Sequence, residues 1–279
     1  MRRDPSINRL ILLGGLQAAA AQSTFSTHSG QNTGSRLDQP GAVAALSLID
    51  WSRIRRRSGW RCGKAAAEQN AAQKEFCTPK ERPTPKVSME RVMMDLKSAM
   101  PADAITTTDA GSFGQWQQRY LEFDHPNSYI SPTLGCMGPG VPSAVAAKLA
   151  HPQRTVIAHI GDGGFLMTGQ EMATAKQYNA PIIAIVYNNQ GYNSIRMHQE
   201  SQYPHRRIGV ALENPDFALM GESYGALGLK VTRDDEFLPA FRKALAANRS
   251  ALIEVQTDYE YVTPNARLSE LAGKKLAGD

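Results

Sequence analysis

The sequence predicts an α/β fold: a doubly wound, mostly parallel sheet with helices on both faces, preceded by an irregular and helical N-terminal extension. Three observations carry this. Residues 154–160 (RTVIAHI) and 181–187 (PIIAIVY) are continuous runs rich in β-branched residues, the pattern of strands buried on both faces of a parallel sheet. Between them the apolar spacing turns helical and stops at Pro181. Each run ends in a glycine or asparagine turn, GDGG at 161–164 and NNQG at 188–191.

The elements follow in chain order. Residues 1–41 read as irregular and disordered, because 23–41 are rich in Ser, Thr, Gly and Gln with few apolar side chains. The first 23 residues have the basic start and short apolar stretch of a secretory leader, but Gly14, Gly15 and Gln17 break that stretch, and no leader is expected. Residues 42–86 read as a helical tail and a linker stiffened by Pro79, Pro83 and Pro85. Residues 87–279 are expected to hold the folded domain. Inside it, Thr168 and Glu171 fit a T-x-x-E capping box, which predicts one helix running through Met172, Ala175 and Lys176.

Composition excludes several classes. With 279 residues, 42% hydrophobic and 20% charged, the chain is of ordinary globular composition. Its net charge of +5 is unevenly placed: residues 1–86 carry 14 Lys/Arg against 6 Asp/Glu, and 87–279 carry 17 against 20. The basic stretch around Arg53 and Arg55 to Arg57 reads as a solvated helix, so no nucleic-acid partner is expected. No run approaches the roughly twenty apolar residues of a membrane span. Cys62, Cys77 and Cys136 show neither metal-ligand spacing nor a disulfide framework, which suits a reducing, cytoplasmic compartment.

The chemistry lies in the two turns. A right-handed crossover brings the carboxyl ends of both strands to one sheet edge, so Asp162 and Asn189 are expected to meet. Gly161, Gly163 and Gly164 let the backbone approach an anion and offer it N–H groups, while Asp162 supplies a hard carboxylate oxygen. Magnesium takes near-octahedral oxygen ligation from one or two protein groups, phosphates and water. Asp162, Asn189 and the carbonyl of Gly191 would serve as its ligands, so the pair of turns predicts a metal–diphosphate site. Either segment alone could be a simple turn. A nicotinamide site is rejected, since the glycines at 161, 163, 164 and 169 do not fit G-x-G-x-x-G.

GDG…NN resembles the signature of the thiamine diphosphate enzymes, and residues 87–269 resemble the C-terminal cofactor-binding domain of the acetolactate synthase and benzoylformate decarboxylase group. DAITTTDAG (103–111) looks like the family's first strand and diphosphate turn, LGCMGPGVPSAVAAKLAHP (134–152) like its glycine-rich loop and helix, and NPDFALMGESYGALGLKV (214–231) like its late helix and strand. The resemblance implies thiamine diphosphate and Mg2+ as cofactors. It makes Met137 the apolar prop that bends the cofactor, the carbonyl of Gly135 an acceptor for the aminopyrimidine, and Gly111, Ser112 and Phe113 a second clamp on the diphosphate. Ser194 and Ile195 fall beside the thiazolium, where Asn193 replaces a glycine common in relatives. His198 stands where acetolactate synthases commonly have tryptophan; it and Arg196 are the candidate catalytic residues, as proton donor and carboxylate clamp.

Activity implied by the family is decarboxylation or carboligation of a 2-oxo acid. In the family the activating glutamate comes from a pyrimidine-binding domain of a neighbouring subunit, and no residue here matches its motif. The expected partner is therefore a second copy or a chain carrying that domain. Two classes stay open: an enzyme component that works with such a partner, and a non-catalytic, truncated thiamine diphosphate-binding protein.

Overall fold

The computed structural model describes residues 77–79 and 84–272. The expectations for 1–76, including Cys62, fall outside the described residues. The described residues all fall in one compact unit.

Its centre is a six-stranded sheet built from β1 (Ile105–Thr108), β2 (Tyr129–Ile130), β3 (Val156–Gly161), β4 (Ile183–Asn188), β5 (Leu227–Val231) and β6 (Ala251–Gln256). The strand order is β2-β1-β3-β4-β6-β5, and every pairing is parallel. The doubly wound fold expected from sequence is thus present. The order reverses beside β1, which opens a crevice past the carboxyl ends of β1 and β3.

Helices cover both faces: α1 (Met89–Ala99), α2 (Gly114–Tyr120), α3 (Gly140–Ala150), α4 (Asp162–Thr168), α5 (Glu171–Gln177), α6 (Asn193–Gln202), α7 (Phe217–Ser223) and α8 (Asp234–Ala246). Strand side chains alternate between the faces. Ile157, Ile185 and Ile253 pack with Met93 and Leu96 of α1, Trp116 of α2 and Phe237 and Phe241 of α8. Ala158, Ile160 and Val186 pack on the opposite side with Val141 of α3, Phe165 of α4, Met172 of α5 and Phe217 of α7. α1 starts where the Ser88 hydroxyl accepts from Arg91 N, and Val87 N donates to Gln256 O at 3.0 Å, tying the entry of the domain to β6. A small hairpin of β7 (Tyr261–Thr263) and β8 (Ala266–Arg267) follows β6.

One expectation is corrected. The crossover from β3 to β4 holds two short helices, and the first begins at Asp162 itself. The Thr168–Glu171 capping box does not form. Gly169 keeps right-handed helical dihedrals and bonds back to Phe165 O at 2.7 Å, so the chain needs no fresh helix start. That leaves the Thr168 hydroxyl free to donate to Gly138 O at 2.5 Å, while Glu171 accepts from Thr174.

Candidate functional site

Four segments meet at the crevice. The turn after β1 brings Gly111, Ser112 and Phe113; the loop before α3 brings Gly135 and Met137; the start of α4 brings Gly161, Asp162, Gly163 and Gly164; and the turn into α6 brings Asn189, Gly191, Asn193, Ser194 and Ile195. Together they line a cleft of about 250 Å³. Every cofactor-contacting position expected from sequence faces it.

Asp162 is 3% exposed, and three donors converge on its carboxylate. Gly163 N donates to Oδ1 at 2.8 Å, while Gly191 N at 3.1 Å and Asn214 Nδ2 at 2.8 Å donate to Oδ2. Burial pushes its pKa up, and these bonds oppose the shift by favouring the ionised form. Asn189 lines the same cleft, and its Oδ1 is buried and accepts no hydrogen bond from the described residues. A buried carboxamide oxygen without a donor, in one cleft with a carboxylate that has acceptor capacity left, fits a hard cation such as Mg2+. Among the described residues no three His, Cys, Asp or Glu side chains converge, so a zinc-type ligand set is not formed there.

The glycines around Asp162 are required by the walls of the cleft. A Cβ on Gly164 would run into the Asp109 carboxylate, and one on Gly163 into the Tyr192 ring. Asp109 was not singled out from sequence. It is 3% exposed, accepts from Gly138 N at 3.0 Å and Gly140 N at 2.5 Å, and so caps α3 where Pro139 offers no side-chain cap. Burial raises its pKa, again against those two N–H groups. Thr107 Oγ1 donates to Gly140 O at 2.8 Å and Ala110 N to Cys136 O at 3.2 Å, so the loop presenting Gly135 and Met137 is pinned along its length.

The cleft floor is aromatic. Phe113 stacks on Tyr187 with centroids 5.4 Å apart, and the Tyr187 hydroxyl shares a hydrogen bond with His159 Nδ1 at 2.8 Å. His159 is fully buried, and burial lowers its pKa to about 3, so it is a neutral packing group.

The segment after Gly191 is helical: α6 presents Ser194 and Ile195 to the cleft from its first turn. Asn193 is 6% exposed and its Oδ1 has no partner among the described residues. The two candidate catalytic residues are placed differently. Arg196 lies over the Tyr259 ring, 4.6 Å from its centroid, and His198 is exposed on the same helix; neither lines the cleft.

An all-parallel α/β sheet with a buried carboxylate and a glycine turn at its switch-point crevice defines a cofactor-binding domain. The family it belongs to is shown by comparison: residues 109–255 match the model of the thiamine pyrophosphate enzymes, C-terminal TPP binding domain, and the chain is a member of that family. It is 35% identical over 176 residues to a putative thiamine pyrophosphate-containing protein of Bacillus subtilis, covering 63% of this chain and 30% of that one. It is 32% identical over 190 residues to the acetolactate synthase isozyme 2 large subunit of Escherichia coli, covering 66% and 35%. Among solved structures it matches the thiamine diphosphate-dependent 4-hydroxybenzoylformate decarboxylase of Rhodococcus jostii with a TM-score of 0.62 and 30% identity, covering 65% and 34%. The chain therefore carries the thiamine diphosphate-binding domain of acetolactate synthase-like enzymes and spans about a third of the length of these relatives. Among the described residues no helix is long and apolar enough to cross a membrane.

Proposed function

We propose that this chain is the Mg2+/thiamine diphosphate-binding component of an acetolactate synthase-like enzyme that decarboxylates or carboligates a 2-oxo acid, with residues 87–279 as its cofactor domain. The observation that carries it is that Asp162 and the donorless Asn189 Oδ1 share a cleft also lined by Met137, Ser194 and Ile195. In this reading Asp162, Asn189 and the Gly191 carbonyl hold the metal. Gly111, Ser112 and Phe113 form one diphosphate clamp and Gly161, Gly163 and Gly164 another, while Gly135 and Met137 orient the pyrimidine and set its bend. When bound, thiamine diphosphate stabilises carbanion character at the substrate carbonyl carbon. The chain's own part is to bind, bend and shield it.

Turnover is proposed to need a second chain, either another copy or one carrying a pyrimidine-binding domain. Among the described residues the carboxylates lining the cleft are Asp162 and Asp258. Both already hold the chain itself: Asp162 as described, and Asp258 by accepting from Thr84 Oγ1 and Glu260 N, which supports an activating carboxylate supplied from elsewhere. Relatives named as synthase, acetyltransferase and decarboxylase support a 2-oxo acid or a related small carbonyl compound as substrate. The test is calorimetry of thiamine diphosphate with the full chain: binding that appears with Mg2+ and vanishes on chelation is expected, and metal-independent or absent binding refutes the assignment.

A further inference from the structure

Asn214 is not among the residues assigned to the cofactor or the metal, yet its side chain joins both ends of the GDG…NN motif. Its Nδ2 donates to Asp162 Oδ2 at 2.8 Å and to Asn188 Oδ1 at 2.9 Å. We infer that Asn214 is the positioning residue for the metal-binding carboxylate, an inference that rests on the Mg2+ reading of that site.

The polarity of this contact is set from deeper in the fold. Glu254 on β6 is 1% exposed, accepts from Phe217 N at 3.1 Å and lies 3.9 Å from Lys230 Nζ. As an acceptor it takes Asn188 Nδ2 at 2.9 Å, which turns Asn188 Oδ1 toward Asn214. Asn214 must then present its NH2 group, whose two hydrogens are divided between Asn188 and Asp162. The chain Glu254, Asn188, Asn214, Asp162 thus ends with a donor on the carboxylate oxygen that also takes Gly191 N. Asn188, the first asparagine of the NN pair, is in this way a support, while Asn189 keeps its oxygen unengaged.

Other roles for Asn214 are filled by neighbours. Asp216 caps α7 by accepting from Leu219 N at 3.0 Å. The 210–212 backbone is held to the turn by Tyr192 N to Val210 O at 2.9 Å and Leu212 N to Gln190 O at 3.0 Å. The Nδ2 of Asn214 is left to fix the Asp162 carboxylate against the turn that carries Asn189, while its buried Oδ1 has no partner among the described residues.

A group that orients a metal ligand matters most for a metal with strict geometry. Mg2+ demands near-octahedral ligation, whereas Ca2+ tolerates irregular shells. Calorimetry of thiamine diphosphate binding to the full chain, once with Mg2+ and once with Ca2+, separates positioning from general structure. Asn214→Ala and the similarly sized, donorless Asn214→Leu are expected to raise the Kd with Mg2+ by about ten- to a hundred-fold, the range for lost supporting partners of metal ligands. The Kd with Ca2+ should rise by a clearly smaller factor. Asn214→Ser, polar but too short to reach Asp162, serves if the others fail to fold. Unchanged Mg2+ affinity overturns the inference, and so does equal loss with both metals, which would mean a merely structural part. If the wild-type chain shows no Mg2+-dependent binding, the functional reading itself falls and takes this inference with it.

Discussion

The backbone nitrogen of Gly191 stands 3.1 Å from Oδ2 of Asp162, so the turn that ends β4 is bonded to the residue that opens α4 across the end of the sheet. The bond holds Asp162 and Asn189 on one wall of the cleft before any ligand arrives, and it makes Asp162 a structural acceptor as well as a candidate metal ligand.

Asp162→Ala should therefore do two separable things. Losing the carboxylate leaves the diphosphate charge poorly neutralised, so Mg2+-dependent thiamine diphosphate binding should collapse in calorimetry. It also strips acceptors from the buried N–H groups of Gly163 and Gly191, which lowers stability by about 1–3 kcal/mol without unfolding the domain. A variant that binds the cofactor as wild type does would sink the metal assignment.

Gly164→Ala tests the wall made by Asp109. The new Cβ would meet a carboxylate that cannot retreat without releasing Gly138 N and Gly140 N. A loss of about 1–3 kcal/mol is expected, read as a lower urea midpoint with unchanged m value. Gly114→Ala is the control: nothing lies within 4 Å of its Cβ, and as a helical position it should be neutral or slightly stabilising. Equal midpoints for both variants would contradict the crowding.

Acid sensitivity should trace to His159. Its native pKa of about 3 lies below the ordinary 6.5, so above pH 6.5 both states are neutral and its contribution is constant. Below 6.5 the unfolded chain binds a proton that the buried ring refuses, and stability falls by about 1.4 kcal/mol per pH unit until pH nears 3. Asp109 and Asp162, raised by burial, act with the opposite sign, so the informative measurement is the difference between wild type and His159→Gln. Between pH 7 and 5 the wild type should lose about 2 kcal/mol more than the variant. Parallel stability curves would rule this out.

The purified chain, saturated with Mg2+ and thiamine diphosphate, should consume no 2-oxo acid, and activity should appear only on mixing with a chain that carries a pyrimidine-binding domain. A steady-state assay with pyruvate decides it. Thiamine diphosphate-dependent turnover by the chain alone, abolished in Asp162→Ala, would mean that one of its own residues activates the cofactor; failure with every such partner would favour the non-catalytic reading.

Much of the fold was legible in local patterns. Two continuous β-branched runs separated by a helical stretch permit few arrangements, because a parallel crossover is right-handed and delivers both strand ends to one edge. That reasoning placed Asp162 near Asn189 and led from GDG…NN to the family. It could not divide the crossover into α4 and α5, since whether Thr168 caps a helix or bonds Gly138, 30 positions away, depends on which loop lies beside it. Nor could it find Asp109 beneath Gly164, or place His198 outside the cleft.

What the sequence determined by itself was the strands flanking the motif, the cofactor class and the residues that line the cleft; the tertiary structure alone decided what holds those residues still. The supports of Asp162 reach it through partners 26 to 66 positions apart in the chain, Asn188 to Asn214 and Asn188 to Glu254. Those contacts exist because β6 inserts beside β4 and the segment before α7 crosses the strand ends. A hydrogen bond has the same short range whatever the chain separation, and only the assembled sheet brings such distant groups within it.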